Sequence, residues 1–231
     1  MLIFWYNYYR VNIWLVIWSG GFIMTKRYNY MMDLIISIVS LVGLILNFNL
    51  FKSPVGILYY TIFNNMLCFI FYFTVLVLKI TGIFKTNRLF IKMKGLVLVS
   101  LICTFLIYNF FMVPTGQVSA YDGHFIVSCF VHIFTPILVV LDCIINGKNK
   151  MLEYNDLFLY LFSIILYGLI VIIYIYFGGI FPNKTNYPYI NFNINEYGFF
   201  KCFMMNFVII IFYELIGLLI IWINKKIIKN N

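Results

Sequence analysis

The sequence predicts an all-α, polytopic membrane protein: a six-transmembrane-helix bundle with both termini cytoplasmic. Three observations predict it. Of its 231 residues, 64% are hydrophobic and 10% charged, whereas soluble domains run at roughly 45–50% apolar and 25% charged. The apolar residues gather into six runs, each long enough to cross a bilayer. The 16 Lys and Arg residues are split 13 to 3 between the two sides that those crossings define.

Residues 1–33 precede the first clean run. They are aromatic and apolar but broken by Arg10 and by Ser19-Gly20-Gly21, with no small-residue cleavage site of the secretory kind. The segment reads as interfacial or partly disordered, or as upstream of a true start at Met24, Met31 or Met32. The membrane domain follows at 34–223. Its runs are Leu34–Phe51, Ile57–Ile80, Gly95–Val113, Phe125–Ile145, Leu157–Phe177 and Phe199–Ile223. At 1.5 Å per residue each spans the roughly 30 Å of hydrocarbon. The connections carry Pro, Gly, Asn or charge, as turns do. Residues 224–231 read as a basic cytoplasmic tail. No composition shift marks a second domain, and no inverted repeat of the transporter kind is visible.

Basic residues orient the bundle. Arg10, Lys26 and Arg27 precede the first run; Lys79, Lys85, Arg88, Lys92 and Lys94 fill the second connection; Lys148 and Lys150 the fourth; Lys225, Lys226 and Lys229 the tail. The opposite side has Lys52, Lys184 and Lys201. The net charge of +9 is thus a topological signal beside anionic lipid. It is not a basic face with stacking aromatics, so nucleic acid is excluded as a partner. The expected location is the plasma membrane. The heavy use of Asn, Ile, Lys, Phe and Tyr reads as coding bias of an AT-rich genome.

Cys68, Cys103, Cys129, Cys143 and Cys202 are odd in number, lack CxxC spacing and lie in or beside apolar runs. They read as small buried hydrophobes. No Cys/His/carboxylate cluster has ligand spacing, so no metal is expected. The glycines form neither a P-loop nor a dinucleotide fingerprint, so no cofactor is expected.

Chemistry is concentrated in Tyr59-Tyr60-Thr61-Ile62-Phe63-Asn64-Asn65. Thr61, Asn64 and Asn65 stand at i, i+3 and i+4, placing a hydroxyl and two amides on one helix face. Lipid offers such groups no water, so they should face the bundle interior. His132 lies in the fourth run, with Ser128 and Thr135 at i−4 and i+3. Both runs descend from the outer side, which puts Thr61 roughly 6 Å and His132 roughly 10 Å deep. Pro136 removes the hydrogen bond to the carbonyl four residues back, that of His132. Structural roles compete with this reading. A helix threonine commonly bonds back to its own turn, and Asn64 and Asn65 serve equally as interhelical glue. His124 reads as a solvated loop residue. Asp142 and Glu214 fall in the inner halves of their runs and suit a pair with Lys79 or Lys94, or a proton relay. Tyr187-Pro188-Tyr189-Ile190-Asn191 suits a lid or an interfacial aromatic turn.

Tyr60-Thr61-Ile62-Phe63-Asn64-Asn65, His132-Ile133-Phe134-Thr135-Pro136 leading to Leu141-Asp142, and Tyr187-Pro188-Tyr189 occur in this order across residues 34–223. On these motifs the chain resembles the six-span membrane family that includes the animal androgen-induced and androgen-dependent proteins and many bacterial relatives. The resemblance implies a membrane-embedded threonine and histidine, matching Thr61 and His132, that hydrolyse fatty acid esters of hydroxy fatty acids. Many relatives carry serine where this chain has Asn64.

The function expected from residues and resemblance together is intramembrane hydrolysis of a lipid ester. Thr61 would be the nucleophile and His132 the base, with Asn64 or Asn65 as oxyanion donors. Ser128, Thr135 and Tyr189 would line the site, and the partner would be a membrane acyl ester. The alternatives are a small proton- or cation-coupled transporter or channel using Asp142 and Glu214, and a lipid-binding protein without chemistry.

Overall fold

The computed structural model describes residues 26–51, 54–114, 125–146, 152–181 and 186–229. Residues 1–25, and with them most of the expected interfacial segment, lie outside this set, as do His124, Lys148, Lys150 and Lys184. The described residues are all-helical, and six helices are long and apolar enough to cross a membrane. The chain is a helical membrane bundle.

Helix α1 runs Lys26–Phe51. It takes in the last residues of the segment expected to precede the membrane, because Tyr30, Met31 and Met32 extend its apolar face. A 3-10 turn, Pro54–Leu58, leads to α2, Tyr60–Ile80. Extended backbone at Tyr59 separates the two, so Thr61 lies in the first turn of α2 instead of a full turn inside it. Helix α3 begins at Arg88, capped by the Asn87 side chain, which accepts from Phe90 N–H at 2.8 Å. Arg88, Lys92 and Lys94, expected in a connection, are therefore helical. At its other end α3 passes from Ile107 into a π turn, Tyr108–Met112. Helix α4, Phe125–Asn146, contains a second π turn, Phe130–Phe134. A Glu153/Asp156 capping box opens α5, Leu157–Tyr176. Helix α6, Phe199–Lys229, includes Lys225, Lys226 and Lys229, so this part of the expected tail continues the helix.

The third helix is the hub. It touches α2, α4, α5 and α6, and Lys94–Leu101 is buried without a break. Two clusters pack on it: Ile36, Cys68, Tyr72 and Val139 on one side, and Leu152, Tyr160, Tyr213 and Ile221 on the other. Helices α5 and α6 leave most of their apolar surface outward, as lipid-facing helices do. The five cysteines are free thiols, Cys68, Cys103 and Cys202 buried and Cys129 and Cys143 half-buried.

Among the described residues, the ion pairs lie at the end where α1 begins and α2 ends. There Asp33 pairs with Lys79, Lys94 with Asp142 at 2.5 Å, and Arg88 with Asp156 at 2.6 Å. Asp142 takes a lysine partner of the expected kind, because both residues lie within two turns of the same end of the bundle. Glu214 does not join it: it lies near Cys103 with Oε1 buried and without a hydrogen bond.

Candidate functional site

The polar residues of α2 meet α3 and α4 at the end of the bundle away from these ion pairs. Asn64 and Asn65, expected on one face, part company. Adjacent helix positions differ by about 100° in direction, and each amide goes to a different neighbour. Asn64 Nδ2 donates to Thr104 Oγ1 on α3 at 3.2 Å. Asn65 Nδ2 donates to the Val131 carbonyl on α4 at 3.0 Å and to the Thr61 carbonyl at 2.9 Å.

The Val131 bond explains the π turn. In an α-helix Pro136 would orphan the carbonyl of His132, four residues back. In the i→i+5 register of a π turn the affected carbonyl belongs to the residue five back, which is Val131. Asn65 supplies the missing donor from the neighbouring helix. The freed acceptor is therefore one residue earlier than expected, and it is occupied. Thr135 is also taken up locally: its hydroxyl donates to the Phe130 carbonyl at 2.9 Å and is fully buried. Its place is inside the turn, not on the site. Ser128 is half-buried.

His132 projects from this turn onto the π turn of α3. Its ring stacks on Tyr108 with centroids 3.5 Å apart and planes at 10°. Nδ1 is sealed from solvent and has no hydrogen-bond partner. Hydropathy does not report a helical register, so neither π turn, nor Tyr108 as the partner of His132, is foreseeable from the sequence. A π turn inside a membrane helix is itself a frequent mark of a functional site.

Thr61 has different company. Tyr59, the N-cap of α2, offers no side-chain cap, and the Tyr189 phenol takes that role from the loop before α6. Its oxygen accepts from Tyr60 N–H at 3.0 Å and lies against the amide and hydroxyl of Thr61. Burial pushes this phenol above its ordinary range, an effect eased by the Tyr60 and Thr61 contacts. The loop is anchored on both sides. Tyr59 packs edge-on against Tyr189 and Phe181 at 5.8 and 5.9 Å, and Asn191 exchanges hydrogen bonds with Asn206 of α6. The Tyr187–Asn191 segment thus covers the head of α2, as a lid would.

The helix hydroxyls of Ser37, Ser40, Thr81, Thr104 and Ser163 bond back to carbonyls of their own helices. That of Thr61 does not; it faces Tyr189. Thr61 and His132 share an end of the bundle and are joined through Asn65, but no hydrogen bond links them. Both amide protons of Asn65 are spent on carbonyls, so Asn65, expected as an oxyanion donor, has no donor left to give. Two cavities, of about 240 and 250 Å³, lie at the basic end.

A comparison of the chain with protein-family models finds no match, and comparisons with curated proteins and with solved structures find none either.

Proposed function

We infer that the chain is an intramembrane hydrolase of lipid esters in the plasma membrane, with Thr61 as nucleophile and His132 as base. The observation that carries the reading is the unpartnered Nδ1 of His132. A buried nitrogen without a hydrogen bond costs stability, and a neutral imidazole with an open lone pair is what a general base requires. The Thr61 hydroxyl, which lies against Tyr189, is the α2 hydroxyl this reading pairs with it.

In this mechanism His132 takes the Thr61 proton as the hydroxyl oxygen attacks the ester carbonyl. The tetrahedral oxyanion is held by the Tyr189 O–H and by the second amide hydrogen of Asn64, beside the positive N-terminus of α2. His132 returns its proton to the departing alkoxide, and water then releases the acyl group by the reverse sequence. Thr61 and His132 must come within reach directly or through one water when the ester binds, since catalytic hydrogen bonds tighten in the substrate complex. That Asp142 is held by three donors and Glu214 lies near Cys103 favours this reading over ion coupling.

Purified protein should react with a fluorophosphonate probe and cleave a branched fatty acid ester. Thr61→Ala should abolish both. His132→Ala should lower turnover by about 10²–10⁴-fold, with circular dichroism unchanged. Undiminished labelling and turnover in Thr61→Ala would refute the assignment.

A further inference from the structure

One charge in the proposed hydrolysis has no counter-ion. When His132 takes the Thr61 proton its ring becomes a cation inside the bundle, and an unpaired cation in a dry interior is costly. A common remedy is a carboxylate behind the imidazole. Among the described residues no charged group bears on this ring. Asp33 and Asp142 are paired with Lys79 and Lys94 at the other end of the bundle, and Glu214 lies near Cys103. What the ring does have is Tyr108.

The two rings are not arranged as neutral aromatics prefer. Such pairs favour offset or edge-to-face contacts with centroids about 4.5–7 Å apart, because a face-to-face sandwich sets like quadrupoles against each other. The other ring pairs among the described residues follow this preference, with centroids 5.0 to 6.4 Å apart. Tyr108 and His132 are centred 3.5 Å apart with planes at 10°, so they lie squarely face to face. That arrangement suits a cation. The negative face of an aromatic ring attracts positive charge within about 6 Å of its centre, most strongly where water is excluded. The contact is thus poor for a neutral imidazole and good for an imidazolium. Only an interaction that strengthens as charge develops accelerates a reaction.

The backbone fixes the sandwich from both sides. Tyr108 opens the π turn of α3, and His132 stands at the centre of the π turn of α4. Asn65 ties the second turn to α2 through the Val131 carbonyl. Asn64 ties α2 to Thr104, four residues before Tyr108 and on the same face of α3. Two neighbouring amides of one helix therefore hold both of the turns that carry the rings.

We propose that Tyr108 is a positioning residue for the reaction: its ring holds the His132 imidazole flat against it and stabilises the positive charge while His132 carries the proton. This role rests on the hydrolytic reading of Thr61 and His132. The charge arises twice. It appears first as Thr61 Oγ1 bonds to the acyl carbon and its proton passes to the ring, and it ends when the departing alkoxide takes that proton. It appears again as water attacks the acyl-Thr61 ester and gives a proton to the ring, which returns it to Thr61 Oγ1. Tyr108 therefore acts on both steps, and on turnover more than on substrate binding.

The test varies the electron density of the ring while keeping its shape. Tyr108→Phe retains the aromatic face and should stay near the native rate. Phenylalanines carrying one, two or three ring fluorines, placed at the same position, withdraw density in steps. With a branched fatty acid ester as substrate, log kcat should fall linearly along this series, while KM and circular dichroism stay constant. Tyr108→Leu, which fills the space without an aromatic face, should lose about thirtyfold in kcat. A flat fluorine series overturns the proposal whatever Tyr108→Leu does, because a ring that serves only as packing does not register its electron density. If activity is lost in Thr61→Ala and His132→Ala while that series is flat, the hydrolysis stands and the role of Tyr108 alone falls. A native chain that neither reacts with the fluorophosphonate probe nor cleaves the ester removes both.

Discussion

Replacing Asn65 by leucine tests the link that brings α2 and α4 together at the candidate site. Leucine keeps the volume and removes the donor to the Val131 carbonyl. Interhelical hydrogen bonds in membrane proteins contribute about 0.6 kcal/mol on average and about 1.7 kcal/mol at most. This one belongs near the upper limit, about 1.5 kcal/mol, because Val131 is 2% exposed and Pro136 offers its carbonyl no amide. The bond to the Thr61 carbonyl lies within one helix and adds little. Leucine also removes Asn65 Oδ1, which is buried without a partner, so part of the loss is offset and the single variant understates the bond. A double-mutant cycle with Pro136→Ala isolates it. Alanine supplies an N–H, which lets α4 satisfy Val131 by itself, so in that background Asn65→Leu should cost almost nothing from this bond. The Oδ1 offset is present in both backgrounds and cancels. The coupling should be about 1.5 kcal/mol, read by SDS-driven unfolding in mixed micelles with circular dichroism. A coupling within about 0.3 kcal/mol of zero would refute the claim that Asn65 supplies the donor that proline withholds.

Other outcomes follow from close packing and topology. A Cβ on Gly95 would sit 2.2 Å from Tyr160 Oη and 2.9 Å from Leu152 Cδ2, so Gly95→Ala should destabilise by about 2 kcal/mol. Tyr160→Phe deletes an oxygen that is buried without a partner and should be neutral or stabilising on its own. It should also recover most of the Gly95→Ala loss in thermal denaturation; no recovery would mean that Leu152 is the real obstacle. If the 13-to-3 basic split sets orientation, single cysteines at Arg88 and Lys226, in a background with the five native cysteines replaced, should resist an impermeant outside reagent. A cysteine at Asn186 should react, and the reverse pattern would invert the bundle.

The spans were legible because a helix that crosses lipid must be apolar for about 20 residues, a property of composition alone. Their ends were harder to read. Arg88, Lys92 and Lys94 look like a loop by charge, yet they are helical because Asp156 and Asp142 receive Arg88 and Lys94, a compensation made by distant segments. The polar content of α2 was legible too, but its division was not. Whether Asn64 and Asn65 act together depends on which helix stands on each side. Likewise nothing local to Tyr60 announces that its amide will be capped by a phenol from the loop before α6. The rule for Pro136 identified the kind of defect and misplaced it by one residue, because the rule presumes an α register and the chain adopts a π turn there.

That turn also sets how α4 tolerates changes in length. Phe130–Phe134 holds the extra residue that an i→i+5 register accommodates. A one-residue deletion within it would leave a helix that could close as an ordinary α-helix without a gap. The cost would appear elsewhere, as a rotation of about 100° per residue. Phe125–Cys129 would turn relative to Thr135–Asn146, and the ring that now lies on Tyr108 would be carried off it. Helix α3 has its own extra residue in Tyr108–Met112, so the two helices match each other in phase where their rings meet. Length changes on this stretch of α4 would preserve the contact only when α3 changes with it, which makes the pair of turns one unit of inheritance across two separate helices.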